Sequence, residues 1–167
     1  DALLVQPFDW AEANEECVEA YAEMLLHLVS ANGHYMVPTL RALSSRLSLV
    51  NAVASVARND HATENNNIHK EKASVSLPLA EKAARHIHTA LASILSKVPA
   101  ASSQLFPLFV ALYPHAIAPT THHQFFVKNL LTVSEYAPEL RDRITELIVE
   151  RLIRLDTNIK LSILMNN

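Results

Sequence analysis

Residues able to do chemistry are plentiful in this chain, but their spacing does not assemble them into a catalytic or metal site. There are nine histidines and one cysteine. A zinc site built on a helix takes ligands three or four positions apart, because only those side chains share a face. His86 and His88 are two apart and point to different faces, while His122 and His123 are adjacent. No His-Glu-x-x-His run is present, and Cys17 is remote from the histidines. They read as exposed or boundary side chains. Ser44, Ser45, Ser48, Ser102 and Ser103 lack the glycine-flanked strained turn that makes a serine nucleophilic. With Gly33 as the single glycine, no phosphate-cradling loop can form. The expectation is a protein that is not an enzyme and takes no cofactor or metal.

The same shortage of glycine indicates which elements must carry these residues. Average usage is about 7% glycine, and sheet proteins use it in hairpin turns and bulges. Hydrophobic residues make up 50% of the chain and aromatic residues only 6%. Leu, Ala, Val and Ile therefore have to fill the interior, which suits helix-on-helix packing. An all-α fold is expected, as one domain over residues 1–167, with enough buried surface to fold without staples.

Helix starts and stops divide the chain into six helices. Asp9 and Glu12 have capping-box spacing, ahead of Val18, Tyr21, Ala22, Leu25, Leu28 and Val29 at helical period. Gly33 is expected to end that helix in a left-handed turn. Pro38 opens a second helix, continued by Leu40, Leu43, Leu47 and Val50 to about Ala57. Residues 58–76, rich in Asn and mixed charge, read as a mobile loop. A third helix spans Leu77 to Lys97 and a fourth Ser103 to Tyr113. A fifth, capped by Thr121 with Gln124, covers 122–136, and a sixth runs from Pro138 to Asp156.

The sixth helix carries Leu140, Ile144, Leu147, Ile148, Leu152 and Leu155 as one stripe, with Val149 and Ile153 opposite. Leu147, Ile148 and Leu152 are expected to bury against Leu130 and Leu131. Glu139 with Arg143, and Glu150 with Arg154, are acid-before-base pairs four apart. The basic residues Arg141, Arg143, Arg151 and Arg154 alternate with acids, as on a solvated, salt-bridged face. Met36 to Leu43 echoes Leu105 to Leu112, and Val98-Pro99 echoes Ala137-Pro138. A period near 40 with two helices per unit resembles HEAT-type repeats, here an α-solenoid of about three helix pairs. A plain helical bundle is the alternative.

A formal net charge of −3 argues against a dominant nucleic-acid surface. The longest apolar run, Leu105 to Tyr113, is broken by Pro107 and falls far short of the roughly 20 residues of a membrane span. No secretory signal is visible in Asp1 to Trp10, and a lone cysteine suits a reducing compartment. The chain reads as a soluble intracellular fragment of a longer protein.

Several motifs sharpen this reading. Tyr21, Leu28-Val29-Ser30-Ala31, Pro38 and Leu40 are followed by His88-Thr89-Ala90-Leu91, Val98-Pro99, Pro107 and Tyr113-Pro114-His115. Then come Val127-Lys128-Asn129-Leu130-Leu131, Tyr136-Ala137-Pro138-Glu139-Leu140-Arg141, and Glu146 to Arg151 with Leu155-Asp156. In order and spacing these resemble the RNA polymerase I-specific initiation factor family, of transcription initiation factor IA type. The resemblance implies a non-enzymatic HEAT-repeat protein of the nucleus and nucleolus. It would bind RNA polymerase I near its stalk and make it competent to meet promoter-bound initiation factors at ribosomal RNA genes. No direct sequence-specific nucleic-acid binding is implied, and homodimerisation is left open. A generic helical scaffold sharing only repeat physics is the alternative. Ala100-Ala101-Ser102 stands where animal members carry Ser-Thr-Pro, and residues 58–76 are shorter than the family's acidic insertion, so phosphoregulation there is not carried over. Residues 161–167 match nothing in the pattern. On the second helix, Arg41, Ser44, Ser45 and Ser48 share one face, and this polar strip is the candidate polymerase-docking surface.

Overall fold

The computed structural model describes the backbone of residues 8–48 and 69–165, and the side chains of 8–48 and 77–157. Among the described residues there are six α-helices and no strands. We number them α1 (Glu15–Ala31), α2 (Met36–Ser45), α3 (His69–Lys97), α4 (Ala100–Leu112), α5 (Thr120–Tyr136) and α6 (Arg141–Met165). The all-α expectation is met.

Helix ends account for most differences from the sequence reading. Asp9 does accept from the Ala11 and Glu12 amides, at 3.0 and 3.1 Å, but it ties off a separate turn. The cap of α1 is Asn14, whose side chain accepts from the Cys17 amide at 2.8 Å. Glu15 and Glu16 follow in the first turn, where negative charge complements the helix dipole. Gly33 does not take the left-handed conformation. Asn32 is extended at φ −149°, and Gly33 enters a short 3-10 turn, Gly33–Tyr35, with open space where a Cβ would sit. Asn32 rather than glycine therefore sets this corner, its side chain accepting from His34 N at 2.9 Å.

α2 stops at Ser45, well before Ala57. Ser45 Oγ donates back to the Ala42 carbonyl, and the amides of Arg46 and Leu47 donate to carbonyls three residues earlier. This tightened geometry closes the helix; residues 49–57 lie outside the described residues. α3 begins at His69, inside the segment expected as loop, and carries Pro78 within it. Lys70 to Ala73 are good helix formers, and their charge had suggested a loop. The remainder of that segment, 58–68, lies outside the described residues. Thr121 does not cap α5: Pro119 holds that position and no side chain bonds there.

Packing follows alternate helices. α1 lies against α3 and α3 against α5; α2 lies against α4 and α4 against α6, with α5 and α6 closing one end. Pro38 sits in the first turn of α2, Pro99 immediately precedes α4, and Pro138 opens the 3-10 turn Pro138–Leu140 that leads into α6. The echo of Val98-Pro99 in Ala137-Pro138 thus falls on two equivalent junctions. The echo of Met36–Leu43 in Leu105–Leu112 does not, because Pro107 lies in the middle of α4. Ile87, Leu91, Ile94, Leu105, Phe109, Phe126, Leu130 and Ile144 form the centre of one continuous core.

The apolar stripe of α6 is shorter than its sequence suggests. Leu140, Ile144, Leu147 and Ile148 are buried, but Leu152 is 51% exposed and Leu131 on α5 is also exposed. At about 100° per residue, Leu152 stands about 80° from Ile144, whereas Arg151 and Leu155 lie within about 20° of it. Arg151 therefore takes the inward place expected for Leu152. Val149, Leu152 and Ile153 remain as an exposed apolar group on the outer side.

This assignment separates two leucines five residues apart. Leu147→Ala should cost about 2–5 kcal/mol through the cavity it leaves, and Leu152→Ala about 0.5 kcal/mol or less. Urea unfolding of the two variants beside wild type measures the difference, and equal losses would refute the placement of α6.

Candidate interaction site

The most enclosed polar cluster lies where α2, α3 and α5 meet. Asn129 occupies a core position on α5, between Phe126 and Val133, and is buried with them. Its Nδ2 donates to the Leu47 carbonyl oxygen at 3.0 Å, which leaves Oδ1 to accept from His88 Nε2 at 3.2 Å. With that nitrogen protonated in the neutral ring, His88 Nδ1 accepts from the Tyr136 hydroxyl at 2.9 Å. One chain of neutral hydrogen bonds thus runs from Tyr136 through His88 and Asn129 to the end of α2.

The electrostatics agree with this assignment. Burial pushes the His88 pKa below its ordinary value, against the opposing effects of the Asn129 hydrogen bond and the Glu135 carboxylate. Burial also pushes the Tyr136 hydroxyl well above the ordinary tyrosine range, so it stays a donor at every physiological pH. All three polar side chains are committed to neighbouring helices, and no nucleophile joins them. The cluster clamps helices together. Two further ties surround it: His86 Nδ1 donates to the Trp10 carbonyl at 2.7 Å, and Lys128 meets Glu81 at 2.8 Å across α5 and α3. The second pair is exposed, so its contribution is on the order of 0.2–1 kcal/mol. Trp10 also lies edge-on to Phe8 and Tyr21, which stack on each other at 4.2 Å.

The docking strip read from the sequence is not a surface strip. Ser44 is 0% exposed and Ser48 7%, while Ser45 is partly buried and only Arg41 is exposed. The reason is that α2 packs on α4 while also touching α1 and α3, so its serine side faces helices. Small hydroxyl side chains there serve close packing, and the Ser44 hydroxyl has no hydrogen-bond partner. The histidines are likewise not uniformly peripheral: His88 sits in the clamp and His123 is buried. His86 and His88 do part to different neighbours, as their spacing requires. Among the described residues no three His, Cys, Asp or Glu side chains stand together as a metal site would need.

The arginines of α6 also differ from the expected salt-bridged face. Arg154 pairs with Glu150 at 2.6 Å, but Arg143 lies over the Phe106 ring at 3.9 Å and Arg141 donates to the Ser134 carbonyl. Arg151 lies over Tyr113 at 5.5 Å. Sequence reasoning missed the clamp, although one signal was available: Asn129 interrupts an apolar stripe three residues after Phe126 and four before Val133.

Residues 2–165 match the profile of the family described as RNA polymerase I specific transcription initiation factor RRN3. The RNA polymerase I-specific transcription initiation factor RRN3 of Mus musculus is 28% identical over 155 residues, covering 90% of this chain and 22% of the mouse protein. Its counterpart rrn3 of Schizosaccharomyces pombe is 23% identical over 154 residues, covering 92% of this chain and 21% of the yeast protein. The chain therefore spans about one fifth of the length of these relatives. No solved structure is significantly similar to it.

The buried polar positions set how substitution and pH should change stability. Asn129→Leu strands the His88 Nε2 hydrogen and the Leu47 carbonyl, and should cost about 1–3 kcal/mol for each group left unpaired. Since the folded His88 titrates below the unfolded value of about 6.5, its contribution is complete above that pH. It is lost as pH falls from there toward the folded pKa. Denaturation at pH 7.5 and 5.5 should show this loss in wild type and a smaller one in His88→Gln. At the end of α2, Ser44→Ala should be neutral or stabilising, whereas Ser44→Asp should lower the melting temperature sharply, because it buries an unpaired charge. Equal melting of those two variants would place Ser44 at the surface after all.

Proposed function

Because this chain belongs to the RNA polymerase I-specific transcription initiation factor RRN3 family, we propose that it forms part of a factor that binds RNA polymerase I. The factor makes that polymerase competent for recruitment to ribosomal RNA gene promoters. The observation that carries the reading is the match over residues 2–165, nearly the whole chain. It favours an initiation factor over a generic helical scaffold. His88, Asn129 and Tyr136 come from three separate motif blocks of the sequence and meet in one hydrogen-bonded clamp. The blocks therefore act together to hold the helices in register.

The work of this region is binding rather than catalysis. The alternate-helix contacts, α1 to α3 to α5 and α2 to α4 to α6, support a HEAT-like solenoid. A rigid array of that kind presents one surface to the polymerase stalk and another to promoter-bound factors. Such a role belongs in the nucleus, at the nucleolus, and it leaves room for homodimerisation of the full-length factor. No described helix is long and apolar enough to cross a membrane. Of the polar strip on α2, Arg41 is exposed and Ser45 partly buried, and these two are the positions left to the proposed polymerase contact.

The test is capture of purified RNA polymerase I by the full-length factor containing this segment. Wild-type protein should retain the polymerase. Arg41→Glu should weaken binding about tenfold, equivalent to about 1.4 kcal/mol, with no change in melting temperature. A folded wild-type factor that fails to retain the polymerase would remove the functional reading. Unchanged affinity in Arg41→Glu would remove Arg41 from the contact surface.

A further inference from the structure

Unpartnered buried polar atoms are not scattered through the described residues. Seven are present, and four of them belong to residues lining one cleft: the Tyr113 hydroxyl, both ring nitrogens of His123, and Arg151 Nε. The other three are Thr39 Oγ1, Ser44 Oγ and His122 Nδ1. A buried group left without a partner costs about 1–3 kcal/mol, so four in one place is an expensive arrangement for packing alone. The cleft has a volume of about 280 Å³ and lies between the end of α4, the following connection, the start of α5 and the middle of α6.

The side chains of Tyr113, His123, Arg151 and Arg154 can all donate into this cleft. Arg151 is held over the Tyr113 ring by its guanidinium, and Arg154 stands on the same wall, with Glu150 beside it as its one ion-pair partner among the described residues. His115 closes the connection side. His123 is only 8% exposed and lies in the first turn of α5. That helix has no side-chain cap, so the positive end of its dipole falls in the same turn. Apolar Val110, Pro114 and Leu155 line the rest. At the connection, Ile117 is 89% exposed, the most exposed large hydrophobic side chain described.

We propose that this cleft binds an oxyanion borne by a partner protein segment, the carboxylate of Asp or Glu or the phosphoryl group of a phosphoserine. Arg151 supplies the charge, the His123 ring and the Tyr113 hydroxyl supply further donors, and Arg154 contributes where the anion competes with Glu150. The apolar wall takes the methylene stem of the acidic side chain. Exposed Val110 and Ile117 offer the flanking residues of a peptide something to cover, which a free inorganic ion would leave in water. This inference does not rest on the polymerase reading, because its probes are peptides of defined chemistry.

The experiment measures fluorescence anisotropy of short labelled peptides that differ at one central position: phosphoserine, glutamate or serine. The 167-residue chain is the binding protein. The two acidic peptides should bind at least about tenfold more tightly than the serine peptide, the size of one charge-assisted hydrogen bond. Arg151→Gln should remove most of that preference. His123→Phe should also reduce it at least about fivefold while leaving melting temperature unchanged or higher, because an apolar ring replaces two unpaired nitrogens. Inorganic phosphate should compete only at far higher concentration than either peptide. Equal binding of all three peptides, no binding of any, or wild-type preference in both variants would overturn the proposal. Inorganic phosphate binding as tightly as the phosphopeptide would overturn the protein-segment assignment.

Discussion

The fold turns on one buried amide. α2 ends early, and the carbonyl of Leu47 is left facing the interior rather than water. A buried carbonyl without a donor is not tolerated cheaply, and Asn129 reaches from α5, 82 residues away, to satisfy it. That reach fixes the rest of the clamp: the amide oxygen must be satisfied in turn, His88 supplies the hydrogen, and Tyr136 completes the ring's second nitrogen. Apolar contacts between helices are permissive in rotation and slide, whereas a directed chain of hydrogen bonds is not. The clamp therefore sets the register in which the larger apolar surfaces of α3 and α5 meet.

The clamp also explains why helix ends matter so much in this protein. With a single glycine, corners depend on side chains and proline rather than on unusual backbone conformations. Asn14 and Asn32 cap by accepting from backbone amides, and prolines lie at the entries of the even-numbered helices. The structure leaves α5 without a side-chain cap. Like α2 and α4, it starts without one, and its start lies beside the cleft with the unpartnered polar atoms.

α6 shows how one helix divides its duties by rotation alone. Its inner arc carries Ile144 and Leu147 into the core and brings Arg151 to Tyr113. Its outer arc carries Val149, Leu152 and Ile153 in solvent. Three of its four arginines contact rings or a carbonyl rather than acids. A guanidinium that stacks on an aromatic ring keeps its charge and several donors available, which a salt-bridged face would have neutralised.

By itself the sequence determined the helical class and most of the apolar positions that build the core. Those follow from local rules: glycine shortage, proline placement, and apolar residues at a period of 3.6. It also carried the family resemblance, because the motif blocks are local strings in a fixed order. Tertiary structure decided which polar residues are inside. Ser44 and Ser48 read as a polar strip because a serine's environment is not encoded by its own type, and only the approach of α4 to α2 buries them. Leu152 looked like core because period counting alone does not locate the centre of the buried arc, which the contacts of α6 with α4 and α5 fix. Asn129 was legible as an oddity within an apolar stripe. Its partners His88 and the Leu47 carbonyl were not, because they are 41 and 82 residues distant and meet it only once three helices have packed.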